Sequence, residues 1–146
     1  MAPEFTGKDK GAYRTVNVAW HTGTVVDEVN RKNNVLCDLG NNEYRRACES
    51  LLLPMVREFQ PDLILISCGF DGGIHDFLGW SQLSPLLYFW MTRELLSICP
   101  NVLAVQEGGY NVEYLGQHAS GVVQALTHFG EDDFEPPATE ADKDVG

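Results

Sequence analysis

The segment 63–67 constrains the fold more than any other part of the sequence. Its residues, LILIS, are almost continuously apolar, whereas a strand with one solvent-facing side alternates apolar and polar residues. We therefore predict a strand buried on both faces, as is typical of a parallel sheet. Two further strands are predicted at 13–20, YRTVNVAW, and at 101–106, NVLAVQ.

Helical periodicity fills much of the chain around these strands. Apolar positions recur at helical spacing over 42–59, 84–99 and 111–130, and each of these stretches opens on a residue that can cap a helix, Asn42, Ser84 or Asn111. Pro54 is expected to kink the first of these helices. Because strands and helices alternate, we predict an α/β fold with a parallel sheet between two helical layers.

Length and charge limit what the chain can be. A chain of 146 residues is long enough for one hydrophobic core and too short for two. Its net charge of -11 argues against direct nucleic-acid binding, which needs a basic surface. Seven acidic residues and one lysine lie in 131–146, so this stretch is predicted to be a disordered acidic tail behind a domain at 1–130.

The cysteines and the apolar runs indicate the compartment. The four cysteines show no paired short spacing and follow no signal-peptide pattern, which favours a reducing compartment, the cytosol or the nucleus. The apolar runs fall short of the roughly 20 residues that a membrane-spanning helix needs, so no membrane partner is expected.

Two loops follow predicted strands and hold the candidate functional residues. In a parallel sheet the ligand crevice lies beyond the carboxyl ends of the strands, so Asp71 and Tyr110 are expected at one edge. Asp71 follows a buried strand, and it is either a turn residue bonded to backbone amides or a metal ligand or catalytic carboxylate. Tyr110 is either half-exposed in a tight turn or a donor to a developing oxyanion, with Gly108 and Gly109 leaving room for a narrow substrate.

The remaining polar residues near these loops are less informative. Asp76 is expected to brace its own loop. His21 and His75 lie near predicted strand ends but match no recognised metal spacing. His118 and His128 fall in the last predicted helix and are expected to be surface residues or hydrogen-bonded core residues.

Several motifs in order resemble the zinc-dependent histone deacetylases, the class II branch more than class I. The resemblance covers about residues 7–130. It rests on GAYRTVNVAW at 11–20, FQPDLILIS at 59–67, GFD at 69–71, DFLG at 76–79 and EGGYN at 107–111.

The resemblance implies a fold and a set of roles. The fold would be an incomplete arginase/deacetylase-like α/β domain, of which this chain resembles the C-terminal part. Asp71 would be one ligand of a catalytic Zn²⁺, and Tyr110 would polarise the acetyl carbonyl. Gly108, Gly109 and Leu78 would line the channel for an acetylated lysine of a histone or other protein. A nuclear or cytoplasmic location and a co-repressor complex are implied by the family alone.

Departures from the family pattern leave alternatives open. The family's Asp-x-His ligands and His-His pair have no counterpart in this chain, so the isolated chain is expected to be inactive. Gly72-Gly73 stands where Ala-His is usual, Phe77 stands where proline is usual, and the loop 21–41 is longer than the family norm. Two further interpretations are a non-catalytic protein-binding module and an acetylpolyamine amidohydrolase.

Overall fold

The computed structural model of the chain describes residues 6–12, 14–20, 39–79 and 81–145. A short 3-10 turn, Asp9–Gly11, precedes the regular elements. In chain order these elements are α1 (Asn41–Ala47), a π-helical segment (Cys48–Leu52), α2 (Leu53–Phe59), β1 (Ile64–Cys68), α3 (Pro85–Ile98), β2 (Val102–Gln106), α4 (Val112–Thr127) and α5 (Glu140–Lys143).

The two strands form a parallel pair, as the sequence predicts. Ile64 lies opposite Val102, and Cys68 lies opposite Gln106. Because both strands run the same way, the loops that leave Cys68 and Gln106 start side by side at one end of the sheet. The described residues therefore form the parallel-stranded α/β arrangement that the sequence predicts, with a sheet of two strands.

Local sequence signals fix the beginnings of the two long helices. The Ser84 Oγ accepts a hydrogen bond from the Leu87 N–H at 3.4 Å, and Pro85 occupies the first turn of α3. The Asn111 Oδ1 accepts from the Glu113 N–H at 3.2 Å at the start of α4. Both predicted caps are therefore confirmed.

The core lies between one face of the sheet and the helices α3 and α4. The buried cluster contains Cys68, Phe70, Leu83, Leu87, Tyr88 and Val122. On the opposite face Leu65 is 66% exposed and Leu103 is 54% exposed. The prediction of a strand buried on both faces is wrong for the described part of the chain, because its helices cover one face of the β1–β2 pair.

The predicted first strand is not formed in residues 14–20. Val16 and Val18 are exposed, and Trp20 stacks on Tyr44 with ring centroids 5.1 Å apart. An extended segment becomes a strand only when it forms a ladder of backbone hydrogen bonds with a neighbour, and the described residues contain no strand paired with this one. Tyr13 lies outside the described residues, as does the predicted hairpin region within 21–38.

The predicted kink near Pro54 takes the form of a wider helical turn. Proline lacks an N–H and its ring crowds the carbonyl four residues earlier, which disfavours an ordinary α-helical turn at that point. The five residues before Leu53 adopt π-helical hydrogen bonding, and α2 then continues to Phe59. The helix begins at Asn41 rather than at Asn42, with Gly40 as its cap residue.

The acidic stretch at 131–145 contains one short helix, which lies against α3 and α4. Residues 140–143 form the short helix α5, and Ala141 is 0% exposed. The Asp142 carboxylate accepts from the Leu86 N–H at 2.9 Å, and the Gln117 side chain accepts from the Ala141 N–H at 3.1 Å. A small side chain and two polar contacts place α5 on the α3–α4 layer, and the division into a domain at 1–130 and a disordered tail at 131–146 stays a prediction. None of the helices described above is long and apolar enough to cross a bilayer.

Candidate active site

The loops after β1 and β2 are joined by backbone hydrogen bonds. The Glu107 N–H donates to the Cys68 carbonyl at 3.1 Å, and the Phe70 N–H donates to the Gly108 carbonyl at 2.9 Å. These two bonds extend the parallel pairing beyond the strands themselves. The loop 69–79 and the loop 107–111 are thus held side by side at the carboxyl end of the sheet.

The Asp71 carboxylate lies in a space that two glycines keep open. A Cβ built on Gly108 would lie 2.9 Å from the Asp71 Cγ and 3.1 Å from each carboxylate oxygen. A Cβ on Gly69 would lie 2.9 Å from the Asp71 Oδ1. Within the described part of the chain the carboxylate has no hydrogen-bond or ion-pair partner. Such a carboxylate, just beyond the carboxyl end of β1, is available to a cation.

A buried tyrosine anchors the backbone beside Asp71. The Tyr88 hydroxyl donates to the Gly69 carbonyl at 3.3 Å. Burial raises the pKa of Tyr88 well above its ordinary value, so the phenol remains a neutral donor. This contact connects the start of the loop 69–79 to helix α3.

The second conspicuous carboxylate, Asp76, binds backbone amides on both loops. Its Oδ1 accepts from the Leu78 N–H at 2.9 Å, within its own loop. Its Oδ2 accepts from the Tyr110 N–H at 2.6 Å and from the Asn111 N–H at 3.2 Å. The sequence predicts that Asp76 braces its own loop. It contains no pattern that indicates the additional hydrogen bonds from Asp76 to the neighbouring loop.

Tyr110 and the proposed channel residues lie at the open end of these loops. The Tyr110 side chain is 50% exposed, and Leu78 is also exposed. Gly109 has a φ of +127°, a conformation that favours glycine, and a Cβ there would lie 2.7 Å from a methyl group of Leu115. The structure therefore brings Asp71 against Gly108 and the backbone of Tyr110 against Asp76.

His75 and His118 both make contacts within the fold. His75 has a φ of 71°, and its Nε2 lies 2.8 Å from the Asp144 Oδ2 of the tail. His118 is 2% exposed, with its Nδ1 2.9 Å from the Tyr114 carbonyl oxygen and its Nε2 3.2 Å from that of Leu83. Burial lowers the pKa of His118. His118 is thus a hydrogen-bonded core residue, whereas His21 lies outside the described residues.

The donor set of the described residues does not by itself fit a zinc ion. Zinc in catalytic sites takes three protein ligands. Across the described ranges, no group of three His, Cys, Asp or Glu side chains is placed to hold a metal ion. Asp71 is a single candidate ligand, so no catalytic step is assigned to a metal held by these residues alone.

Comparison with known proteins identifies the family. The model of the histone deacetylase domain matches residues 2–126, and the chain belongs to the histone deacetylase family. Histone deacetylase HDA1 of Saccharomyces cerevisiae is 33% identical over 141 residues, which are 96% of this chain and 18% of the relative. The class II-like resemblance is confirmed.

A human relative and a solved structure agree with this assignment. Polyamine deacetylase HDAC10 of Homo sapiens is 36% identical over 121 residues, which are 82% of this chain and 16% of the relative. The structure of the histone deacetylase Clr3 superposes with a TM-score of 0.74 at 29% identity, covering 97% of this chain and 22% of that chain. This chain therefore spans less than a quarter of the length of each of these three proteins.

Proposed function

We propose that this chain carries one side of the active site of a zinc-dependent lysine deacetylase, which hydrolyses the amide of N6-acetyl-lysine. The supporting observation is the Asp71 carboxylate, unpaired within the described residues and packed against Gly108 of the loop that bears Tyr110. An α/β domain binds its ligand at the loops that follow the carboxyl ends of adjacent parallel strands. In this chain those loops carry the carboxylate and the phenol.

Each residue in this proposal has a separate task. Asp71 supplies one oxygen ligand to zinc, and the other ligands come from outside the described residues. The Tyr110 hydroxyl donates a hydrogen bond to the acetyl carbonyl oxygen and stabilises the charge that develops there. Gly108 and Gly109 present backbone without side chains to the acetyl-lysine chain, and Leu78 forms part of the channel wall.

A first experiment separates the isolated chain from the complete enzyme. Purified residues 1–146 are assayed for bound zinc and for hydrolysis of an acetyl-lysine peptide. We expect no turnover and no stoichiometric zinc, because the family's Asp-x-His ligands have no counterpart in this sequence and the described residues offer one candidate ligand where three are needed. Turnover by the isolated chain would contradict this proposal.

A second experiment tests Asp71 in the full-length protein. Asp71→Asn should lower zinc occupancy and hydrolysis together. Asp62→Asn is the matched control, because it makes the same chemical change before β1, at the opposite end of the strand from Asp71. Retention of full zinc content and full activity by Asp71→Asn would remove Asp71 from the site.

The substrate is an acetylated lysine of a histone or of another protein. Chromatin is the proposed setting because histone deacetylases of two yeasts are among the relatives. A nuclear or cytoplasmic location and membership of a co-repressor complex are part of the same proposal. Fractionation of cells that express the tagged full-length protein tests both.

An acetylated polyamine is a second candidate substrate. The observation that favours it is the 36% identity to polyamine deacetylase HDAC10. Parallel assays of the full-length protein with an acetyl-lysine histone peptide and with an acetylated polyamine separate the two. A higher kcat/KM for the acetylated polyamine than for the acetyl-lysine peptide would make the polyamine the preferred substrate.

A further inference from the structure

Asp76 is the one side chain in the described residues whose carboxylate binds backbone of both loops at the candidate site. It accepts from Leu78 on one oxygen and from Tyr110 and Asn111 on the other. The Tyr110 contact is the shortest of the three, at 2.6 Å. Hydrogen bonds to a charged acceptor are about twice as strong as those between neutral groups, so this contact fixes the backbone of Tyr110 firmly.

Little else near Tyr110 can hold it in place. Its side chain is half exposed, and it therefore lacks the packing that fixes a buried ring. The residue before it is Gly109, which has a φ of +127°. Because glycine has no side chain, Gly109 adds no side-chain contact. The position of the phenol consequently depends on the backbone, and Asp76 is the side chain that binds the Tyr110 N–H.

A second set of contacts makes the attachment rigid. The Asn111 Nδ2 donates to the His75 carbonyl at 2.8 Å, so residues 75 and 76 both bind the same turn. The Asn111 Oδ1 simultaneously caps α4 through the Glu113 N–H. The loop 69–79, the turn at Tyr110 and the start of α4 are thereby held as one unit.

We propose that Asp76 is a positioning residue for Tyr110. It holds the backbone of the Gly-Gly-Tyr turn and thereby fixes the point from which the Tyr110 side chain extends. This inference rests on the proposed deacetylase function for its catalytic consequence. Its structural part, the fixation of Tyr110 by the Asp76 carboxylate, is measurable in residues 1–146 without any activity.

The test uses ¹⁵N-labelled residues 1–146 and three variants. Asp76→Asn keeps the size of the side chain and one acceptor oxygen, and Asp76→Ala removes both acceptors. Glu107→Gln is the control, because it neutralises a carboxylate in the loop that bears Tyr110 whose described contact is with the Ser67 hydroxyl. Amide hydrogen exchange and proton shifts are recorded for Tyr110 and Asn111, with the amides of α3 as a reference for global folding.

Exchange at Tyr110 should accelerate by at least about tenfold in Asp76→Ala, as expected when a hydrogen bond to a charged acceptor is lost. Asp76→Asn should fall between the wild type and Asp76→Ala, and Glu107→Gln should match the wild type. If Asp76→Ala also unprotects α3, Asp76→Asn decides the question. Unchanged exchange and shifts at Tyr110 in Asp76→Asn would overturn the inference.

Kinetics of the full-length protein give the catalytic part. Asp76→Asn should lower kcat by at least about tenfold while KM and zinc content stay within about twofold, because substrate and metal contacts are retained. Full hydrolysis by Tyr110→Phe would overturn the proposed function and leave the exchange result intact. An unaffected kcat in Asp76→Asn, with Tyr110→Phe inactive, would overturn the positioning role alone.

Discussion

The Asp71 carboxylate lies so close to Gly108 that no other residue type fits there without displacing it. The added Cβ would be 2.9 Å from the Asp71 Cγ, well inside ordinary van der Waals contact. Asp71 and Gly108 come from different loops, so this contact couples the candidate ligand to the turn that presents Tyr110.

Gly108→Ala should abolish zinc-dependent hydrolysis in the full-length protein with little loss of stability, because the new methyl group displaces the carboxylate rather than the core. Gly116→Ala is the matched control: it lies in α4 with no atom within 4 Å of the added Cβ. It should keep activity and raise the free energy of unfolding by about 0.5–1 kcal/mol. Normal activity and normal zinc content in Gly108→Ala would refute the coupling.

Two tyrosine substitutions should separate catalysis from stability. Tyr110→Phe should lower kcat by roughly 100-fold or more, the usual cost of losing an oxyanion donor. It should change the free energy of unfolding by less than about 0.5 kcal/mol, because the side chain is half exposed. Tyr88→Phe should instead cost about 1 kcal/mol, since it removes the hydrogen bond to Gly69. Steady-state kinetics and urea unfolding measure both, and the opposite pattern would exchange the two roles.

The stability of the chain should depend on the protonation of His118. Because burial lowers the pKa of His118 in the folded state, the unfolded chain binds the proton more readily. The contribution of His118 is therefore fully present above its ordinary value of 6.5 and is lost as the pH falls below it. Two nearby charged groups have opposite effects on the pKa of His118: Asp142 raises it and His75 lowers it.

Replacement by glutamine tests this dependence. Between pH 7 and pH 5 the free energy of unfolding should fall more steeply in the wild type than in His118→Gln, where no group titrates at this position. Carboxylates common to both chains cancel in the difference. Parallel slopes from denaturant unfolding at several pH values would show that His118 does not control this range.

Docking of the tail should depend on the small side chain at position 141. Ala141→Asp places a carboxylate in a fully buried site and should release α5. Proteolytic cleavage within 131–145 should accelerate by at least about tenfold while α3 and α4 remain protected. Lys143→Asp introduces the same residue at an exposed position of the same helix and should leave the rate near that of the wild type. Equal rates for the two variants would contradict the docked arrangement.

The parts of the fold that the sequence predicts are those with local causes. Ser84 and Pro85 define the start of α3 by themselves, and Asn111 does the same for α4. Strand formation at 14–20 was wrong because pairing depends on a distant neighbour, which alternation of Val16 and Val18 does not reveal. Burial on both faces failed for the same reason, since a covering layer is a tertiary property.

The same distinction between local and tertiary causes applies to the candidate site. That the loops bearing Asp71 and Tyr110 meet follows from parallel strands, which the sequence indicates. That Gly69 and Gly108 clear space for one carboxylate, and that Asp76 binds the Tyr110 amide, depends on contacts between residues far apart in the chain. The order of elements does not contain that information.

The bare face of the β1–β2 pair has a consequence for handling the protein. Leu65 and Leu103 present aliphatic surface next to each other on a pair of strands whose outer backbone groups also seek partners. Such a surface binds hydrophobic dyes, promotes aggregation at high concentration and is bound by chaperones. We therefore expect purified residues 1–146 to self-associate through this leucine surface.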